Sequence, residues 1–307
     1  MTWPDGAALK LIAGDAHRAL AEDVARELAI PLDPVEITPF ADGETRVLLT
    51  FDARGTDLFV LQPTSPPVND HLMTLALIVD AARAAGAARV TAIVPYFGYA
   101  RQERRSQVGA SLSAQVAARL LASVGLDHLV TLDLHAPALE SAFPMPATLL
   151  DCVELFVPVV KSWGIPNLVV VSPDAGGMKR AQRLAAAVNA QLAVVAKERP
   201  QPDRAVPLKV LGNVGDRSCV IVDDMASTGR TLAGAAKALE RAGAREIHAI
   251  FTHAVMAPEA MERLITAPLK RIATSDSISV ARHPRLEVVS TAPSLARTIR
   301  CLRGENP

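Results

Sequence analysis

Short apolar runs alternate along this chain with stretches whose apolar residues recur at helical spacing. Residues 9–13, 58–62, 90–95, 129–132, 168–172, 192–196 and 220–222 are runs of this kind, and each predicts a buried strand. Residues 17–28 put Leu20, Val24 and Leu28 on one helical face after Gly14 and Asp15 as turn and cap. Residues 69–85 line up Leu72, Leu75, Ala76, Val79 and Ala82, and beyond Gly229 the residues Leu232, Ala235, Ala236 and Leu239 do the same. A helix running through Leu121, strands near 271–273 and 287–289 and a last helix at 294–302 complete the pattern. It predicts an α/β protein built on mainly parallel sheets flanked by helices, with ligands at the carboxyl ends of the strands.

Length and composition set the scale. Half of the 307 residues are apolar, enough for two domains of about 150 residues each. Two nearby prolines, Pro144 and Pro146, mark the expected boundary, giving domains at 1–148 and 149–307. Residues 85–94 (A-G-A-A-R-V-T-A-I-V) align without gaps on 242–251 (A-G-A-R-E-I-H-A-I-F), a helix end, glycine cap and strand in both, which suggests a duplication. Lys plus Arg equals Asp plus Glu at 32 each, which argues against nucleic acid or an acidic membrane as partner. Cys152, Cys219 and Cys301 are too scattered for a disulfide framework or a zinc site. A start without a basic-then-apolar leader, and no uncharged apolar run near the ~18 residues of a membrane span, predict a soluble, cytoplasmic protein.

Chemistry concentrates at strand ends. In V-I-V-D-D-M-A-S-T-G-R-T-L (residues 220–232), a buried strand runs into Asp223 and Asp224, then a small hydroxylated loop, then a helix. Backbone N–H groups of Ala226 to Gly229, the hydroxyls of Ser227, Thr228 and Thr231 and the helix dipole are expected to converge on a phosphate. The acidic pair beside it suits sugar hydroxyls or a magnesium ion. Elsewhere F-A-D-G-E (40–44) reads as a turn that splays two acids. Y-F-G-Y-A-R-Q-E-R-R (96–105) sets aromatics beside Arg101, Arg104 and Arg105. D-L-H-A (133–136) brings a carboxylate and an imidazole to one strand end, and P-D-A-G-G (173–177) offers Asp174 beside twin glycines. K-E-R (197–199) places two cations on one side of an extended segment. Each has a plainer alternative as a solvated turn or basic face. The dinucleotide G-x-G-x-x-G, the P-loop, H-E-x-x-H and G-x-S-x-G patterns are all missing from the sequence.

The residues 220–232 resemble the loop that binds phosphoribosyl pyrophosphate (PRPP) in type I phosphoribosyltransferases and PRPP synthetases. With F-A-D-G-E, P-V-N-D-H-L-M, V-P-Y-F-G-Y-A-R-Q-E-R, D-L-H-A and S-P-D-A-G-G in that order, nearly the whole chain resembles ribose-phosphate pyrophosphokinases. The resemblance implies two similar domains of type I phosphoribosyltransferase-like fold, with the last helix, 293–303, packing back on the first. It implies transfer of pyrophosphate from Mg-ATP to the C1 hydroxyl of ribose 5-phosphate, giving PRPP and AMP. Phe40, Asp42, Glu44, Arg101, Gln102, Glu103 and His135 would bind ATP, Glu44 acting from a neighbouring subunit. His135 and Asp174 would hold magnesium, Asp174, Gly176 and Gly177 the pyrophosphate, and Asp223, Asp224, Ala226, Ser227, Thr228, Gly229 and Thr231 ribose 5-phosphate. Lys197 and Arg199 would be the catalytic pair. The family also implies a homo-oligomer, a hexamer or a smaller assembly of dimers.

The chain departs from the family pattern at G-D-A-H (14–17), Glu103, Arg230 and 106–115, where regulated members carry a basic loop. Regulation by phosphate and ADP is therefore left open. The competing readings are a phosphoribosyltransferase and a catalytically silent regulatory subunit.

Overall fold

The computed structural model describes residues 6–105, 107–197 and 208–305. Contacts divide them into two compact units: one runs to Leu150 and regains Ser277–Ser279 and the residues from Ser290 onward, and the other takes Asp151–Asp276 and Val280–Val289.

In the first unit β1 (Leu9–Ala13), β4 (Asp57–Leu61), β5 (Arg89–Val94), β6 (His128–Leu132) and β7 (Ala147–Leu150) form a parallel sheet in that order. Every residue of β4, β5 and β6 is buried, so these strands read as continuous apolar runs. Between β1 and β4 the antiparallel hairpin of β2 (Val35–Pro39) and β3 (Thr45–Leu49) forms a separate, half-exposed sheet whose Val35, Ile37, Val47 and Leu49 pack against the core. Helices α1 (Arg18–Leu28), α2 (Val68–Ala84) and α3 (Ser113–Ser123) bury the predicted faces: Leu20, Val24 and Leu28 on α1, and Leu72, Leu75, Ala76, Val79 and Ala82 on α2. Residues 147–150 supply β7, the edge strand of the first sheet, and the contact division falls after Leu150, two residues beyond the boundary read from the sequence.

In the second unit α4 (Val153–Ser162) leads into β8 (Leu168–Ser172), α5 (Met178–Ala187), β9 (Gln191–Lys197), β10 (Leu208–Leu211) and β11 (Ser218–Met225). After them come α6 (Arg230–Arg241), β12 (Glu246–His253), α7 (Ala260–Thr266), β13 (Arg271–Ser275) and β14 (Leu286–Val289). The sheet order is β10-β9-β8-β11-β12-β13-β14, with only β10 antiparallel to its neighbour. The last helix, α8 (Ala292–Leu302), buries Leu295 and Ile299 and packs on α1 in the first unit.

The two sheets repeat one plan. β8, β11, β12, β13 and β14 follow one another as β1, β4, β5, β6 and β7 do. The strand pair β9–β10 follows β8 as the β2–β3 hairpin follows β1, and an isolated parallel bridge from Ile12 to Asp33 places the approach to β2 beside β1. The aligned segments 85–94 and 242–251 fall at equivalent points of this plan. Both begin at a helix C-cap, Ala85 or Ala242, and turn on a glycine of positive φ, Gly86 at 81° or Gly243 at 83°.

Candidate active site

The second unit carries the densest part of the site. β11 has a buried stem, and Asp223 and Asp224 stand near its carboxyl end, half-buried and buried respectively. Burial first, and the neighbouring Asp224 carboxylate second, push the Asp223 carboxyl above the ordinary range, while the Arg180 guanidinium opposes the shift. Past Met225 the chain crosses to α6 through Ala226, Ser227, Thr228 and Gly229. Gly229 has a φ of 71°, and a Cβ on it would sit 3.0 Å from the Ala260 carbonyl oxygen, so the loop can press onto α7 only with glycine there. The loop is pinned from outside: Arg263 of α7 donates to the Thr228 carbonyl, and the Ala257 N–H to the Ser227 carbonyl at 2.8 Å.

One expected donor is committed elsewhere. The Ala226 N–H donates to the His253 carbonyl at 2.9 Å, so Ala226 closes the loop onto β12 instead of facing an anion. Ser227 and Thr228 are half-buried, and Thr231 is exposed in the first turn of α6. Arg230, the first residue of α6, is exposed to solvent.

A second loop, after β8, lies at the same end of the sheet, because β8 and β11 are parallel neighbours. The Asp174 carboxylate accepts from the Gly177 N–H at 3.0 Å, and the Ser172 hydroxyl donates to the Asp174 carbonyl at 2.6 Å. Asp174 and Gly176 are exposed, and Gly177 is the N-cap of α5. From α5 the guanidinium of Arg180 faces Asp224 at 3.9 Å. Sequence reading missed Arg180, since M-K-R-A-Q-R reads as a solvated helix start and only the fold turns this arginine inward.

In the first unit F-A-D-G-E forms the tip of the β2–β3 hairpin. The Gly43 N–H donates to the Phe40 carbonyl at 3.0 Å, and the Asp42 carboxylate accepts from the Glu44 N–H at 3.1 Å. Phe40 is 50% exposed there, beside exposed Asp42 and Glu44. The loop after β5 divides its aromatics differently from the reading in sequence. Tyr96 and Phe97 are buried, and Phe97 packs edge-on against Phe143 with ring centroids 5.2 Å apart, so Phe97 serves the core. Tyr99 donates to the Asn69 side chain. With Val68, Asn69, Tyr96, Arg101 and Gln102 it lines a cavity of about 310 Å³. The Ser113 hydroxyl donates to the Gln102 side-chain oxygen at 2.6 Å, which leaves the Gln102 amide nitrogen for a ligand. Glu103 is half-buried and lies 3.6 Å from Arg104, and exposed His135 follows β6.

Lys197 ends β9, where its backbone pairs with Leu208; its side chain and the whole of Arg199 lie outside the described residues. Among the described residues no cluster of three or more His, Cys, Asp or Glu is arranged to hold a metal. With one carboxylate oxygen of Asp174 committed to Gly177, what remains suits a magnesium ion that arrives with phosphate oxygens and water as its other ligands.

Comparison with known proteins gives the family. Residues 9–125 match the family model described as the N-terminal domain of ribose phosphate pyrophosphokinase, and 143–278 match that of the phosphoribosyl transferase domain. A ribose-phosphate pyrophosphokinase of Brucella melitensis is 40% identical over 95% of this chain and 96% of its own. That of Burkholderia pseudomallei is 38% identical over 100% of this chain and 98% of its own. The crystal structure of phosphoribosylpyrophosphate synthetase from Mycobacterium smegmatis superposes with a TM-score of 0.90 at 34% identity, covering 96% of this chain and 98% of that one.

Proposed function

The chain belongs to the ribose-phosphate pyrophosphokinase family, and from that premise we infer how its two units divide the family's reaction. The protein transfers pyrophosphate from ATP to ribose 5-phosphate, giving PRPP and AMP. The C1 hydroxyl oxygen of the sugar forms a bond to the β-phosphorus, the bond from that phosphorus to the α–β bridging oxygen breaks, and the hydroxyl proton is released.

One observation carries the acceptor assignment: a short hydroxylated loop, Ser227 to Thr231, opening a helix directly beside the carboxylates of Asp223 and Asp224. The loop takes the 5-phosphate, and the carboxylates take the ribose hydroxyls. Asp174, Gly176 and Gly177 receive the pyrophosphate. In the first unit Arg101 and Gln102 border the cavity that takes the nucleotide, supported by Glu103 and His135. Phe40, Asp42 and Glu44, displayed on the exposed hairpin tip, complete a nucleotide site of a homo-oligomer. His135 and Asp174 are the residues that would serve as ligands to magnesium, which would supply charge neutralisation on the triphosphate. Lys197 and Arg199 stabilise the charge that builds on the transferring group without moving a proton.

Replacing both carboxylates, as Asp223→Asn with Asp224→Asn, is expected to raise KM for ribose 5-phosphate by about a hundredfold or more while KM for ATP stays put. A loss confined to ATP would refute the assignment.

A further inference from the structure

Arg180 is the third residue of α5, in the turn that follows the Asp174 loop. Its side chain is 13% exposed and faces Asp224, 8% exposed, across 3.9 Å. A cation this deep at a helix start is not a solvated arginine, and its counter-charge sits on a different element, β11. Asp223 adjoins Asp224 on β11, Arg263 of α7 is turned to the Thr228 carbonyl, and Asp174 is exposed and bonded to Gly177. Two adjacent acids beside a seat for a phosphate monoester pose an electrostatic problem, because carboxylates that ionise there repel the bound anion and each other. A buried guanidinium behind the pair answers it, and its fixed charge and planar fork suit a carboxylate.

We propose that Arg180 is a positioning residue for ribose 5-phosphate: it fixes Asp224 and balances the acidic pair so that both carboxylates face the sugar hydroxyls. The same side chain joins the two ligand loops of the second unit, since α5 continues from the loop that Ser172 and Gly177 hold on Asp174. The inference rests on residues 223–231 being the ribose 5-phosphate seat.

The test is a double-mutant cycle read in steady-state kinetics. Arg180→Gln is expected to raise KM for ribose 5-phosphate on the order of tenfold or more, with kcat changed much less and KM for ATP unchanged as an internal check on folding. Arg180→Lys keeps the charge and is expected to recover part of the affinity. In an Asp224→Asn background the effect of Arg180→Gln is expected to vanish, because the partner it positions is gone. If Arg180→Gln does not fold, the cycle is run with Arg180→Lys, whose smaller shift must vanish in the same background. Independent, multiplying effects would overturn the proposal, as would an Arg180→Gln enzyme with KM for ribose 5-phosphate within twofold of the parent while Asp224→Asn raises it. An Asp224→Asn enzyme with unchanged KM for ribose 5-phosphate overturns the seat itself, and the inference with it.

Discussion

At the scale of single residues, two predictions follow from charge. In the ligand-free protein, burial and the neighbouring Asp224 carboxylate raise the Asp223 carboxyl. Ribose hydroxyls donate to the ionised form and so favour it. Binding of ribose 5-phosphate should therefore release protons near neutrality, and affinity should rise with pH through that range. Calorimetry in buffers of different ionisation enthalpy measures the release directly; no proton release in the parent, or the same release in Asp223→Asn, would count against this role. The second concerns Lys197 and Arg199. Groups acting mainly in the transition state should, when both become alanine, lower kcat by orders of magnitude and leave ligand affinity nearly intact. A double variant that loses ATP binding and keeps its maximal rate would contradict them. The residues legible in sequence were those whose type and spacing declare a chemistry, such as Asp223, Asp224 and Asp174. Arg180 and Ser113 were not, because a lone arginine or serine at a helix start gains its role only from what the fold places opposite it.

At the scale of elements, the strands buried on both faces, β4, β5 and β6, were legible because their interiors are apolar apart from a single small Thr91 in β5 and Thr131 in β6. β3 was missed because T-R-V-L-L alternates weakly on a half-exposed hairpin, and α4 because Pro158 lies inside it. The duplication also shows what stands in the first unit where the second has its acidic pair. The segment after β4, equivalent to the one after β11, begins with Gln62, whose side-chain oxygen accepts from the Ala16 N–H at 3.0 Å and whose nitrogen donates to Asp15 at 2.7 Å. Gln62 thus fills the corner that the loop after β1 would otherwise leave open. A Cβ on Gly14 would stand 2.1 Å from that side-chain oxygen. Gly14→Ala should displace the glutamine and cost about 1–3 kcal/mol of stability through hydrogen bonds left unmade. A urea midpoint unchanged from the parent would show that the corner tolerates a methyl group.

At the scale of the whole molecule, the ends of the strands away from the ligand loops carry buried ionisable groups. In the first unit Arg303, just beyond α8, reaches buried Asp57 at 3.1 Å. In the second, His248 is buried against Trp163 with ring centroids 5.4 Å apart, and burial pushes its imidazole down to about 4. His128 in the first unit is likewise pushed down to about 4, by burial and then by Arg89. Below the ordinary histidine range of about 6.5 the unfolded chain takes up protons that the folded one refuses, so stability should fall as pH drops from there toward 4. His248→Phe keeps the ring stack and removes the proton acceptor. Between pH 7 and 4.5 it should lose less stability than the parent, by on the order of 2 kcal/mol. Equal losses would show that His248 does not titrate on unfolding.

The central claim is that the chain moves pyrophosphate and not a single phosphoryl group. The direct measurement is the nucleotide balance after incubation of the whole chain with Mg-ATP and ribose 5-phosphate. AMP and PRPP should appear in equal amounts, without ADP and only when ribose 5-phosphate is present. ADP as the matching product, or PRPP consumed instead of formed, would contradict the account.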